Sequence, residues 1–209
     1  MKNDALAIKK LTNSNSNVSC HYYISKFGKI IQMVPDLYVS WHAGKSFWKK
    51  DKSLNTNSIG IEISNPGHKH GYSKFHDKQI KSLIKISQIL IKKYKIDKKN
   101  ILGHSDISPL RKIDPGEKFP WKFLYQNQIG IWHNLNQKKI KTLRGKSLNR
   151  NSKNFINYLK KIGYRIEYSD SNQLKKLLKT FQMRFRPELI NGKIDLECNK
   201  IAKSLYNLK

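Results

Sequence analysis

Only two cysteines, Cys20 and Cys198, occur in 209 residues. They lie far apart, which excludes a disulfide framework and a cysteine-rich zinc knuckle. Acidic residues are scarce: 14 Asp and Glu stand against 42 Lys and Arg, a formal charge of +28. That excess favours polyanionic partners, whether nucleic acid, an anionic membrane surface or a charged cell-wall polymer. Against this, Lys, Ile and Asn recur along the whole chain, as biased codon usage would produce, and the charge is not gathered in one block. No nucleic-acid-binding module is recognisable, so no nucleic-acid partner is expected. Long apolar runs are missing too, and none approaches the roughly 20 residues that span a bilayer. The first ten residues hold neither an apolar h-region nor a small-residue cleavage site, so they do not read as a secretory signal. What is present is a 38% hydrophobic content with Trp, Tyr and Phe well spread. At this length that supports one medium domain plus a small one.

The stretch from Gly103 to Gly116, GHSDISPLRKIDPG, concentrates the chemistry. Pro109 and Pro115 exclude a regular helix through it, and a rigid loop is where reactive groups are displayed on a scaffold. His104 and Asp114 offer a nitrogen and an oxygen, both acceptable to zinc. The alternative is that Asp114 caps a turn before Pro115 and His104 packs in the interior. A β-rich run, Val18–Ile24, predicts a strand. The turn 25–29 and the return Ile30–Val34 make it one arm of a hairpin. Trp41 and His42 follow in a short segment of aromatic and small residues, where His42 either lines a pocket or serves as a structural hydrogen-bonding residue. Asn57–Ser64 reads as another strand. In it, alternation puts Glu62 on the face opposite Ile61 and Ile63, towards solvent or into a cleft. A carboxylate buried in a cleft would be raised in pKa and suited to general-base work. His68, His70 and His76 read as surface residues of a polar loop.

Ile80, Leu83, Ile84, Ser87, Ile91 and Tyr94 recur at helical spacing and predict a helix over 75–94. Ile101–Gly103 reads as a short strand delivering His104. Residues 138–151 are basic and Ser/Asn-rich and read as a linker. Beyond them, three apolar stripes predict a small three-helix unit. The first is Phe155, Ile156, Leu159 and Ile162. The second is Leu174, Leu177, Leu178, Phe181 and Phe185. The third runs from Asp195, an N-cap candidate, to Leu208.

The runs VSCHYYISKFGKIIQMV, SWHAG, NSIGIEI and GHSDISPLRKIDPGEKFPW, in this order and spacing, resemble the zinc-dependent N-acetylmuramoyl-L-alanine amidases of the AmpD/AmiD type. The likeness covers roughly residues 5–135. The later segment FQMRFRPELINGKID is similar to the peptidoglycan-binding domain of the AmiD branch. The resemblance implies an α/β (α+β) fold: a mixed β-sheet flanked by helices, zinc at one end of the sheet, and a small C-terminal three-helix domain. It implies domains at 1–135 and 154–209, joined by a basic linker at 136–153. By position it makes His104 and Asp114 metal ligands and Glu62 the residue that activates the water. Lys112 becomes a cation that offsets charge in the tetrahedral intermediate, and His21, Trp41 and His42 become substrate-binding candidates. The implied substrate is peptidoglycan or a muropeptide, and the implied address is the cell envelope or periplasm. With no signal in the chain as written, a cytoplasmic address is the alternative.

One element of the family pattern is missing. The first zinc histidine lies on an early apolar strand upstream of the VSxHY segment, and residues 1–17 contain no histidine. A catalytic zinc takes about three protein ligands. The chain is thus expected to be N-terminally truncated relative to the family, through a start inside a longer frame or a decaying gene copy. Recruitment of His21 or His42 as third ligand is the remaining option. The competing expectations are an active amidase and a truncated, inactive remnant that still adheres to the wall. A third, nucleic-acid binding, would weaken steeply with salt.

Overall fold

The Asn3 side chain accepts from the Leu6 amide at 2.9 Å and starts α1 (Asp4–Leu11), with Asp4 at the positive and Lys9 and Lys10 at the negative end of the helix dipole. The computed structural model describes residues 3–147, 152–166 and 170–208. Its contacts divide the chain into two units, Met1–Ser46 with Lys52–Ile96 and Phe47–Asp51 with Asp97–Lys209. Among the described residues no helix is long and apolar enough to cross a membrane.

The first unit is built on β1 (Tyr22–Ile24), β2 (Ile30–Gln32) and a later strand at Ile61–Ile63. The expected hairpin forms: β1 pairs antiparallel with β2, Tyr22 opposite Gln32 and Ile24 opposite Ile30. Its turn depends on Gly28, which has φ +86° and whose Cβ would stand 2.5 Å from the Lys78 carbonyl oxygen. The strand at Ile61–Ile63 pairs parallel with β1, placing Glu62 opposite Tyr23. The sheet is therefore mixed, with β1 at its centre. Tyr23 and Ile24 are fully buried, each contributing on the order of 1.5–3 kcal/mol. Ala7 and Cys20 pack with Tyr23, and the Tyr23 hydroxyl donates to Asp4 at 2.8 Å. A two-stranded ribbon, β3 (Phe47–Trp48) and β4 (Asp51–Lys52), precedes the third strand of the sheet, which is β5.

The long helix α2 (Asp77–Tyr94) follows. His76 is its N-cap, completing a capping box with Gln79. The buried line runs Ile80, Leu83, Ile86, Ser87, Leu90, with Ile84, Ile91 and Tyr94 half-buried on its flank. The stripe read from spacing is thus rotated slightly from the face that packs.

At the end of β2, Asp36 accepts from Tyr22 Oη at 2.5 Å, Lys93 Nζ at 2.9 Å and Tyr94 Oη at 2.7 Å. Burial works to raise its pKa, but these hydrogen bonds and the Lys93 charge hold it down at about 2. A carboxyl group depressed in the fold stabilises above its unfolded value of about 4, and that contribution is lost as pH falls through about 2. Wild-type stability is therefore expected to drop between pH 4 and pH 2. Asp36→Asn should be less stable at pH 7 yet flatter across that window, as measured by urea unfolding at each pH.

The second unit carries Gly103–Gly116, α3 (His104–Ile107), α4 (Trp121–Gln126), α5 (Gln137–Lys141), α6 (Ser152–Ile162), α7 (Ser171–Phe185) and α8 (Leu196–Tyr206). The three C-terminal helices form as expected, and Asp195 caps α8 by accepting from the Cys198 amide at 2.8 Å. Phe155 meets Phe181 edge-on at 5.3 Å, and Phe185 lies 5.1 Å from Phe181 and 5.7 Å from Trp132.

One expectation is corrected here. Part of the stretch read as a linker is folded. Asn136 caps α5, Ile140 is buried, and Arg144 pairs with Glu197 at 2.6 and 2.8 Å. The dense lysines disguised one inward residue per turn; residues 148–151 lie outside the described residues. Residues 97–135 fall in the same unit as the C-terminal helices, together with Phe47–Asp51.

Candidate metal and catalytic site

Ile101–Gly103 is extended but joins no sheet, contrary to the strand expected there. The carbonyl of Ile101 is instead taken by Arg184 Nη2 at 2.9 Å. His104 then opens the single turn α3. The turn is locked from within: the Asp106 carboxylate accepts from the Gly103 amide at 2.7 Å, and the Asp106 amide donates to the Gly103 carbonyl at 3.0 Å. Its far partner is the Asp114 segment, whose carbonyl accepts from the Ser105 amide at 2.8 Å. The Asp114–Pro115 peptide is cis.

Gly103 lets these two pieces of backbone approach. A Cβ there would stand 2.7 Å from Pro115 Cδ and 3.2 Å from the Trp121 ring. Gly103→Ala should accordingly cost about 1–3 kcal/mol through overpacking, read as a lowered urea midpoint, and should spread the His104–Asp114 pair.

That pair is the centre of the site. His104 Nδ1 faces Asp114 Oδ2 at 3.0 Å, with the histidine side chain 20% exposed and the carboxylate 57% exposed. Two donors bound at about 2.0–2.1 Å by one tetrahedral ion stand about 3.3 Å apart, so this separation suits a shared metal. Arg111 Nη2 lies 3.4 Å from His104 Nε2 and 3.0 Å from Ser108 Oγ. Burial pushes the Asp114 pKa up, but the hydrogen bond and charge of His104, with the charge of Lys112, draw it below the ordinary carboxylate value. The Lys112 amide is fixed to the Ser108 carbonyl at 2.9 Å. Among the described residues no three His, Cys, Asp or Glu side chains come together as a metal-binding group. The pair falls one short of the roughly three protein ligands a catalytic zinc takes, so His104 and Asp114 could serve as two of them and not as a complete set.

The remaining candidates belong to the first unit. Glu62 is exposed at the middle of β5, as alternation indicated. His42 is held on both ring nitrogens, Nδ1 to Ser40 Oγ and Nε2 to Ser58 Oγ, each at 3.0 Å. Gly60 lies directly against it, since a Cβ there would fall 2.3 Å from His42 Cγ. His21, a substrate-binding candidate from sequence, is a buried residue immediately before β1. It is 1% exposed, its Nδ1 accepts from the Gly60 amide at 3.0 Å, and its Nε2 lies 3.0 Å from the Tyr38 carbonyl. These bonds occupy both nitrogens of His21, which removes it as a third metal ligand. Trp41 is 62% exposed in a loop that also presents Leu37, Tyr38 and Val39.

Sequence reasoning missed Asp106, Tyr164 and Arg184. Tyr164 Oη donates to Asp106 Oδ1 at 2.6 Å, and Arg184 Nη1 donates to Asp106 Oδ2. The available signal was an arginine on the apolar stripe of α7, at helical spacing from Leu177 and Phe181.

The family model described as N-acetylmuramoyl-L-alanine amidase matches residues 1–117. The N-acetylmuramoyl-L-alanine amidase AmiD of Escherichia coli K12 is 34% identical, over 93% of this chain and 75% of AmiD. The 1,6-anhydro-N-acetylmuramyl-L-alanine amidase AmpD of Haemophilus influenzae is 41% identical over half of this chain and 55% of AmpD. Among solved structures, E. coli AmiD in complex with the substrate anhydro-N-acetylmuramic acid-L-Ala-D-gamma-Glu-L-Lys superposes with a TM-score of 0.87 at 32% identity, covering 97% of this chain and 84% of that one. AmpDh3 of Pseudomonas aeruginosa gives 0.86 at 31% identity, covering 97% and 86%.

Proposed function

Starting from a chain that belongs to the N-acetylmuramoyl-L-alanine amidase family, we propose that it hydrolyses the amide between the lactyl group of N-acetylmuramic acid and L-alanine in peptidoglycan or muropeptides. The observation that carries this reading is the 3.0 Å approach of His104 Nδ1 to Asp114 Oδ2 in a loop where both backbones are cross-bonded.

His104 and Asp114 are the residues that would hold zinc, and when bound the ion supplies Lewis acidity and a water of lowered pKa. Glu62 is assigned the proton: an exposed carboxylate can take it from the attacking water and return it to the leaving amine. Lys112 is assigned the developing oxyanion, since a cation beside it offsets charge that exists only as the carbonyl carbon becomes tetrahedral. Trp41 and His42 are assigned to substrate binding. Trp41 presents an exposed ring for stacking, and His42 holds the shape of its segment. The C-terminal helices are assigned to peptidoglycan binding, and the working location is the cell envelope.

The decisive experiment loads the protein with zinc, counts metal per chain, and follows peptide release from an anhydro-muropeptide. About one zinc per chain with free peptide supports the reading. Near-zero metal together with an uncut substrate overturns it. A second reading, a wall-adhering protein that does not cut, is favoured by one observation: the described residues bring only two donors together. It predicts retention on insoluble peptidoglycan that a chelator leaves unchanged.

A further inference from the structure

We propose that Arg184 and Tyr164 are positioning residues for the His104–Asp114 pair, acting through Asp106. The C-terminal helical region thereby becomes part of the frame of the reactive loop as well as a wall-binding attachment. The inference rests on the amidase reading for its zinc and kinetic readouts, and not for its exchange readout.

Asp106 is 2% exposed and surrounded by donors. Its Oδ2 accepts from the Gly103 amide at 2.7 Å and from Arg184 Nη1, and its Oδ1 accepts from Tyr164 Oη at 2.6 Å. Charge-assisted bonds of this kind are short and directional. The guanidinium is itself fixed. It is 4% exposed, Nη2 donates to the Ile101 carbonyl at 2.9 Å, and the carbon of the fork lies 4.0 Å from the Trp121 ring centre. Arg184 thus grips the chain on both sides of His104, at Ile101 and at Asp106.

The geometry of one helical turn converts that grip into an orientation. At 3.6 residues per turn, side chains two apart point about 200° from each other. With Asp106 anchored in the interior, His104 is directed to the opposite side of the turn. The residue between them passes the constraint on, because the Ser105 amide donates to the Asp114 carbonyl at 2.8 Å. One buried carboxylate therefore fixes both members of the pair. A lysine does not replace the fork, since its compact ammonium lacks the planar spacing by which Nη1 and Nη2 reach Asp106 and Ile101 together.

The test uses full-length Tyr164→Phe and Arg184→Lys, with Arg144→Gln as control. The control breaks another ion pair of the same unit, Arg144 with Glu197, away from the loop. Three quantities are read: zinc affinity by chelator competition, kcat and KM separately on an anhydro-muropeptide, and hydrogen exchange of the Ser105 amide in metal-free protein. Positioning predicts zinc affinity weakened by about 10–100-fold, the usual consequence of removing a partner behind a metal ligand. It also predicts a lower kcat with KM nearly unchanged, and faster Ser105 exchange, in both loop variants. Arg144→Gln should lower the melting temperature and leave all three at wild-type values. Wild-type zinc affinity and Ser105 exchange in folded Tyr164→Phe would overturn the proposal, as would equal changes in Arg144→Gln. Tyr164→Phe removes one hydroxyl and keeps the ring, so it decides the question even if Arg184→Lys does not fold. A wild-type chain without zinc or cleavage would sink the amidase reading, while Ser105 exchange still decides the positioning.

Discussion

His104→Ala and Asp114→Ala are each expected to abolish stoichiometric zinc and reduce peptide release to background. A catalytic zinc depends on about three protein ligands, and on the proposed reading the loop supplies two, which stand 3.0 Å apart. Removing either leaves the other as an isolated donor. The structural cost of the two changes should differ. His104 is mostly covered and touches Asp114 and Arg111, whereas the Asp114 carboxylate is largely exposed. Loss of metal with a near-native melting temperature in Asp114→Ala is therefore the cleaner outcome. Metal content by elemental analysis, beside a thermal melt, checks it. Undiminished zinc in both variants would mean that the ion, if bound, sits elsewhere.

Glu62→Gln should keep the zinc and lose the rate. The amide of glutamine has nearly the shape of the carboxylate but cannot accept the proton of the attacking water. General acid–base catalysis contributes about 10²–10⁴-fold, so kcat should fall by that factor with KM little changed. The register supports a variant that folds, because Glu62 is exposed on β5 and its partner Tyr23 is held by other contacts. Full activity in Glu62→Gln would reassign the base. A loss of zinc in the same variant would instead make Glu62 a ligand.

Local pattern was enough to read much of this molecule. Alternation marked Glu62 as facing away from its isoleucine neighbours, because strand geometry admits only two faces. The hairpin of β1 and β2 followed from β-formers on either side of a turn that only Gly28 accommodates. The helix α2 followed from apolar spacing, and the loop with His104 and Asp114 stood out because two prolines limit any helix there to a single turn beside two side chains of metal-binding type. Each of these is a property of residues close in sequence, where propensity and spacing act directly.

What tertiary structure decided concerns partners that are distant in the chain. His21 is held in the interior just before β1 because Gly60 and Tyr38 arrive at its two nitrogens, and no spacing rule reports that. Ile101 lost its expected strand to a guanidinium at position 184. Residues 137–147 are folded because Ile140 finds an interior and Arg144 finds Glu197, although their composition is that of a tether. Asp106 looked like an ordinary polar residue of a loop. Only folding shows that it is buried among three donors, one of them 78 residues away. Burial and long-range pairing are outcomes of the whole chain's packing. That is why chemistry-bearing residues could be named from sequence, while the groups that hold them in place could not.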